Sequence, residues 1–393
     1  MFFGILFAYI IGMKKSIITI ILAIAGVLVS ANAHALRLGD LEVHPYLWLT
    51  ERYTDNVFNT NTNTDSDFST IITPGVRLIL PMVQKRYHLD LQAQADFTIY
   101  NKFSSQNSTS YMAMGKFDGK LPSGITLNIY DVFRRGFDQP GVNLTTEIEY
   151  FYENGISASL EYDLSNRFTL RADYTNHFLT YENDQLNYRN EGDNTIATYF
   201  FYKIMPKTSV FAEYQYVKFN YDVSPQDNNS ENYIYGGITW DVTAKSTGRI
   251  QAGYETKRYD NPSLGKYNNF AFDVSIDHNF DPKNSLKLLA SSRTHETNMQ
   301  GTLFYTTTGF LLQYYHRITG KISARGDVGY GQDKYHGGIP RTDNTWRAAV
   351  WLFYQIKRWL RIELGYDYTN RNSNIDEFSY KNNTFYIRLN ATP

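Results

Sequence analysis

Cysteine is absent from the 393-residue chain, which excludes a disulfide scaffold and a cysteine-based metal centre. A surplus of charge is missing too, because 38 basic and 39 acidic side chains nearly cancel; nothing in that balance points to nucleic acid. Beyond Val29 no run approaches the roughly 20 apolar residues of a membrane-spanning helix, and the mean hydropathy is only −0.43. The signatures of catalysis are lacking as well: the chain has no Gly-x-Ser-x-Gly elbow, no His-Glu-x-x-His helix and no glycine-rich phosphate loop. His295-Glu296 is a lone dipeptide, and the oxygen-rich stretch from Asn61 to Asp67 lacks the spacing of a calcium loop. The expectation is therefore no enzymatic activity, no cofactor and no metal.

What is present starts at the N-terminus. Met13-Lys14-Lys15 opens a charged segment, Ile17 to Val29 is apolar, and small residues follow at Ala31-Asn32-Ala33 and Ala33-His34-Ala35. That order reads as a secretory signal peptide over 1–35, with Met13 as an alternative start. The remainder, 36–393, reads as one domain without a linker or a break in composition.

Within it, Tyr87 to Ile99 alternates almost without fault. One face carries Tyr87, Leu89, Leu91, Ala93, Ala95, Phe97 and Ile99; the other carries His88, Asp90, Gln92, Gln94, Asp96 and Thr98. Soluble half-buried strands run about five or six residues, whereas a tilted strand crossing a bilayer needs about nine to eleven, apolar toward lipid and polar toward a lumen. The pattern recurs in eighteen segments, from 42–53 to 382–391, with sixteen as the alternative count. Short links such as Pro206-Lys207 and Thr319-Gly320 alternate with longer polar ones, among them 54–67, 135–144, 182–192, 223–231, 260–267, 333–342 and 371–381. Short turns at one end and long loops at the other distinguish the periplasmic and extracellular rims of an outer-membrane barrel. The expected fold is all-β: a transmembrane antiparallel up-and-down β-barrel in the outer membrane of a Gram-negative bacterium. With 33 Tyr and 25 Phe, it has enough aromatics for a girdle at each interface.

Charges set which face is which. Arg or Lys against lipid at the bilayer midplane costs about 2–4 kcal/mol. Arg171 and Asp173, Arg249 and Glu255, Asp273 and Asp277, Arg325 and Asp327, and Arg361 and Glu363 are therefore placed on the lumen side, with His88, Asp90, Gln92, Gln94 and Asp96. Their mixed signs argue against a strongly ion-selective pore, and rows of Tyr, Asn, Gln, Asp and Arg suit hydroxyl-rich solutes.

The first hairpin carries a resemblance. Tyr53-Thr54-Asp55-Asn56-Val57-Phe58, a polar loop, and then Asp67-Phe68-Ser69-Thr70-Ile71-Ile72-Thr73-Pro74-Gly75-Val76 is similar to the opening signature of the putative β-barrel porin 2 family, which includes EpsL-type outer-membrane proteins of exopolysaccharide loci. Leu160 to Leu170 and Asn383 to Leu389 resemble the family too. The resemblance implies export, or assembly for export, of an exopolysaccharide, with the polysaccharide and periplasmic export components as partners beside outer-membrane lipid. Its signature residues are Tyr53, Asp55, Asn56, Phe58, Asp67 and Pro74; for Asp55 and Asn56, Asx-type capping of the loop is the expected role. The ending Ala391-Thr392-Pro393 departs from the aromatic terminus common in such barrels, so the expectation is either that Phe385 or Tyr386 serves that role or that the terminus is read inefficiently. Two rivals stand beside secretion: a general diffusion porin for small hydrophilic solutes, and a surface interaction protein whose long loops bind a partner.

Overall fold

In a strand whose two faces meet lipid and water, only closure leaves no unpaired edge. The computed structural model follows that rule. It describes residues 36–392 apart from 84–85, 139–146, 244, 298–300 and 339; the signal-peptide reading and the first residues of the strand expected at 145–162 lie outside the described residues.

After a short β1 (Leu36–Leu38) come β2 (Leu41–Thr54), β3 (Asp67–Met82), β4 (Tyr87–Tyr100), β5 (Ser108–Lys120), β6 (Thr126–Phe137) and β7 (Tyr150–Asp163). Then follow β8 (Phe168–Tyr181), β9 (Glu191–Met205), β10 (Thr208–Tyr221), β11 (Asn229–Thr243), β12 (Ser246–Tyr259) and β13 (Lys266–Asp281). The chain finishes with β14 (Asn284–Glu296), β15 (Phe304–Arg317), β16 (Ile322–His336), β17 (Thr342–Lys357), β18 (Leu360–Ser373) and β19 (Tyr380–Ala391). From β2 onward each strand pairs antiparallel with the next, and β19 returns to β2, from Thr384↔Thr54 to Ala391↔Leu47. Eighteen strands thus close into a barrel, and β1 folds back on β2 as one extra strand.

Three features depart from the sequence reading. β1 is one: three residues are too few to show a period. The second is length, since β16 runs to His336 and β18 to Ser373, taking in residues assigned above to loops. Backbone ladders are indifferent to side-chain polarity, so a strand continues past the lipid wherever its neighbour does. The third is that, among the described residues, five connections at the long-loop end contain short 3-10 turns, such as Asp184–Arg189 and Asp376–Phe378.

Exposure separates the faces. Val350 is 61% exposed, Phe270 59% and Ile387 54%, and Leu170, Tyr174, Val328 and Leu364 are exposed with them. These side chains point outward, where apolar surface meets hydrocarbon. Outward aromatics gather at both rims: Tyr53 packs on Phe68 and Phe385 toward the long loops, and Phe168 packs on Phe200 and Tyr202 toward the short turns.

Candidate channel lining

The interior face is polar and extensively cross-linked. On β3 and β4, the Arg77 guanidinium donates from Nε to Asp90 Oδ1 at 2.9 Å and from its terminal nitrogen to Oδ2 at 2.5 Å. The Tyr46 hydroxyl donates to Gln94 (2.9 Å) and accepts from Gln92 (2.9 Å), while Asp96 accepts from Thr73 (2.5 Å). Tyr46 can lie there because its partner in the ladder is glycine: a Cβ at Gly75 would overlap the ring. His88 sits farther toward the short turns, opposite Pro81 and Asp118.

Farther round, Arg171 forms two 2.8 Å hydrogen bonds to Asp173, a side chain two residues along the same strand face. Arg249 bonds Gln251 (2.7 Å) and Glu213 (2.9 Å), and lies 4.3 Å from the Phe211 ring centre. Arg293 reaches Asp273 (2.8 Å), Arg325 reaches Asp327 (3.0 Å), and Glu363 is shared by Arg361 (2.8 Å) and Arg388 (3.4 Å). Arg388 and Arg325 both stand over Trp351, which lies across Gly365 and stacks on Tyr386. Glu255 is a different case. It is 1% exposed, enclosed in the wall, and meets neither Arg249 nor lumen water.

Sequence reasoning missed Arg77 and Arg388. In β3, Val76-Arg77-Leu78-Ile79-Leu80 is apolar on both parities, which hides the alternation. It also missed three clusters toward the long-loop rim. In one, Lys257 donates to Asn229 (2.8 Å), Glu231 (2.9 Å) and Glu296, and Tyr221 donates to Glu296 (2.5 Å). Tyr221 and Glu296 lie on β10 and β14, four strand spacings or about 19 Å along a flat sheet. Their hydrogen bond requires the wall to bend sharply inward there, and the inner surface below packs Val217, Tyr233 and Tyr235 over Ala271. In the second cluster, Asp343 is held by Arg341 (3.1 Å) and Arg371. The third joins His177 to Glu153 (2.9 Å) and Asp193 (3.0 Å). Lys257 could have been placed inward by parity on β12; its partners, up to 39 positions away, could not.

The signature residues go elsewhere. Asp55 Oδ1 accepts from the Asn383 N–H (2.7 Å) and Oδ2 from its side-chain amide (2.6 Å). Asn56, wholly buried, donates to the carbonyls of Thr60 (2.7 Å) and Lys381 (2.8 Å) and accepts from the Thr60 N–H (3.0 Å). Asp67 accepts from the N–H groups of Phe68 (2.7 Å), Lys102 (2.9 Å) and Phe103 (3.0 Å). Phe58 packs edge-on against Phe103 at 5.1 Å, Tyr53 belongs to the outer aromatic cluster, and Pro74 lies within β3 opposite Leu47. Together they tie the first long loop to the last strand and to the next loop; none of them joins the lumen networks. Among the described residues no group of three or more His, Cys, Asp and Glu is arranged to hold a metal.

Comparison with known proteins agrees with this architecture. The family model described as putative beta-barrel porin 2 matches residues 31–392. No curated protein matches. Among solved structures, a BenF-like porin from Pseudomonas fluorescens Pf-5 is 8% identical, with 89% of this chain and 99% of that one covered at a TM-score of 0.50. Pseudomonas aeruginosa OpdL is 12% identical, covering 91% and 99% at 0.47. At such identities the likeness concerns the fold: a porin-like barrel of the Gram-negative outer membrane.

Proposed function

We propose that this chain, which belongs to the putative beta-barrel porin 2 family, is a passive channel for small hydrophilic solutes. The observation that carries the reading is the exposure of interior cations. Arg77, Arg171, Arg249, Arg325, Arg361 and Arg388 all point inward, yet their side chains keep between 27% and 48% of their surface accessible. On the inner face of a closed barrel, the water that reaches them lies in the lumen or at its short-turn mouth. Eighteen strands enclose a width sufficient for an aqueous passage.

Many weak, exchangeable hydrogen bonds to Gln, Asp, Arg and Tyr side chains let a solute move without a trap. A single tight site would slow it. Polysaccharide export, with export components as partners, draws support from the sequence resemblance alone, while the interior suits any small polar solute. The reading assigns the chain no catalytic step.

Reconstitution of the full chain tests it. Liposomes holding the protein should swell in arabinose faster than in sucrose, and faster in sucrose than in raffinose, with stepwise conductance in planar bilayers. Folded, inserted protein that passes neither ions nor sugars would overturn the proposal. Unchanged small-solute uptake in a deletion strain, together with loss of secreted polymer, would favour export instead.

A further inference from the structure

The formal charge of the interior is balanced, but its geometry is not. Six arginines lie within five residues of the strand ends that carry the short turns: Arg77 on β3, Arg171 on β8, Arg249 on β12, Arg325 on β16, Arg361 on β18 and Arg388 on β19. Each is tied to a carboxylate, and in every pair the carboxylate is the more buried member. Side-chain exposures are 48% against 9% for Arg77 and Asp90, 33% against 19% for Arg171 and Asp173, and 27% against 3% for Arg249 and Glu213. For Arg325 and Asp327 they are 37% against 13%, and Glu363, at 4%, serves both Arg361 at 40% and Arg388 at 29%.

Resting on the channel reading above, we infer that this belt of guanidinium groups makes the lumen prefer anions, in particular small solutes bearing a carboxylate or phosphate. The acids lie against the wall and hold the arginines from behind. Arg249 over Phe211, Arg361 over Phe353, and Arg325 and Arg388 over Trp351 are steadied from the side by aromatic rings. What a passing solute meets first is therefore the positive end of each pair, with N–H donors still free to grip a planar oxyanion. Other charges on this part of the inner wall include the couples Lys116–Asp118 (2.9 Å), Lys203–Asp163 (3.0 Å) and Arg37–Glu42 (2.7 Å), Asp277 facing Lys287 in the ladder, and two further acids, Glu161 opposite Arg171 and Asp241 near the end of β11. Against these acids, the asymmetry of the belt rests on its own pairs, in each of which the arginine is the more exposed member.

The test is the reversal potential of single channels in a potassium chloride gradient, using the full chain in a planar bilayer. The wild-type protein should pass chloride over potassium, and acetate over potassium as well. The preference should shrink as salt is raised from 0.1 to 1 M, where the screening length falls from about 10 Å to about 3 Å. Combined Arg325→Gln, Arg361→Gln and Arg388→Gln should lower the chloride-to-potassium ratio by about twofold or more, whereas the same three positions changed to Lys should retain it. Glu363→Gln should raise the ratio by uncovering two arginines. A conducting wild-type channel that is non-selective or prefers potassium would overturn the inference and leave the channel reading standing. Absence of any conductance from inserted protein would overturn the channel reading itself.

Discussion

Asp55 and Asn383 meet through three hydrogen bonds at the seam of the barrel: both carboxylate oxygens of Asp55 accept, at 2.7 and 2.6 Å, and its own N–H donates to the Asn383 carbonyl at 3.1 Å. The backbone ladder there stops at Thr384↔Thr54, while the neighbouring β2–β3 ladder extends from Glu42↔Ile79 to Thr54↔Asp67. One backbone bond and two to the Asp55 side chain thus hold the seam just past the last ladder pair.

That arrangement predicts a structural effect for the signature residues. Asp55→Ala removes charge-assisted bonds worth about 1.5–3 kcal/mol each at most, and Asn56→Ala strands a buried N–H and two carbonyls. Both variants should lower the temperature at which the folded, fast-migrating form is lost on unheated gels, with Asn56→Ala the more severe. Conductance per inserted channel should stay unchanged. A shift in conductance with stability intact would mean these residues act on the solute.

The buried lysine predicts a larger loss. Lys257→Ala leaves Glu231 and Glu296, both 4% exposed at the side chain, without their cation, and breaking such a buried pair costs about 3–5 kcal/mol. Lys257→Met combined with Glu231→Gln and Glu296→Gln should recover much of it, because the uncompensated charges go too. Urea unfolding in lipid vesicles measures both. If the single variant is as stable as wild type, the cluster is not closed to water as its geometry requires.

How much of this was legible beforehand follows from what each feature depends on. The strands from Tyr87–Tyr100 to Tyr380–Ala391 were visible because lipid on one side and water on the other impose a period of two that no turn obscures. Facing was legible from charge: Arg325 and Asp327 could only point inward. The enclosure of Glu255 was not, nor was the bond from Tyr221 to Glu296, since both depend on how sharply the wall curves across several strands. The balance of signs is likewise silent on which member of a pair is the more exposed. Asp90 and Arg77 count equally in a sequence, yet only one of them reaches the lumen water.

Gly75 offers a steric prediction. Its missing side chain is the space the Tyr46 ring occupies, so Gly75→Ala must displace the ring and release Gln92 and Gln94. Overpacking of this kind costs about 1–3 kcal/mol, and the freed ring would project into the lumen and lower conductance. Gly75→Ala with Tyr46→Ala should restore conductance. Failure of the second change to do so would show that the ring is not what the glycine accommodates.

A pH dependence belongs to the long-loop rim. Glu182, just beyond β8, accepts from Arg135 Nε at 2.6 Å and from a terminal nitrogen at 2.9 Å. Those bonds from Arg135 hold its carboxyl below the ordinary value of 4.5. The carboxylate is favoured by folding, so the stabilisation is complete above the ordinary value, where both states are ionised, and fades as the pH falls through the depressed folded value. Glu182→Gln should therefore be less stable than wild type at pH 7, and the gap should close on acidification below about pH 4. Because the pair is partly exposed, 0.5 M salt should narrow the gap at pH 7 as well. A difference that persists unchanged at pH 3 would assign the effect of the substitution to lost packing at the rim and not to the ion pair.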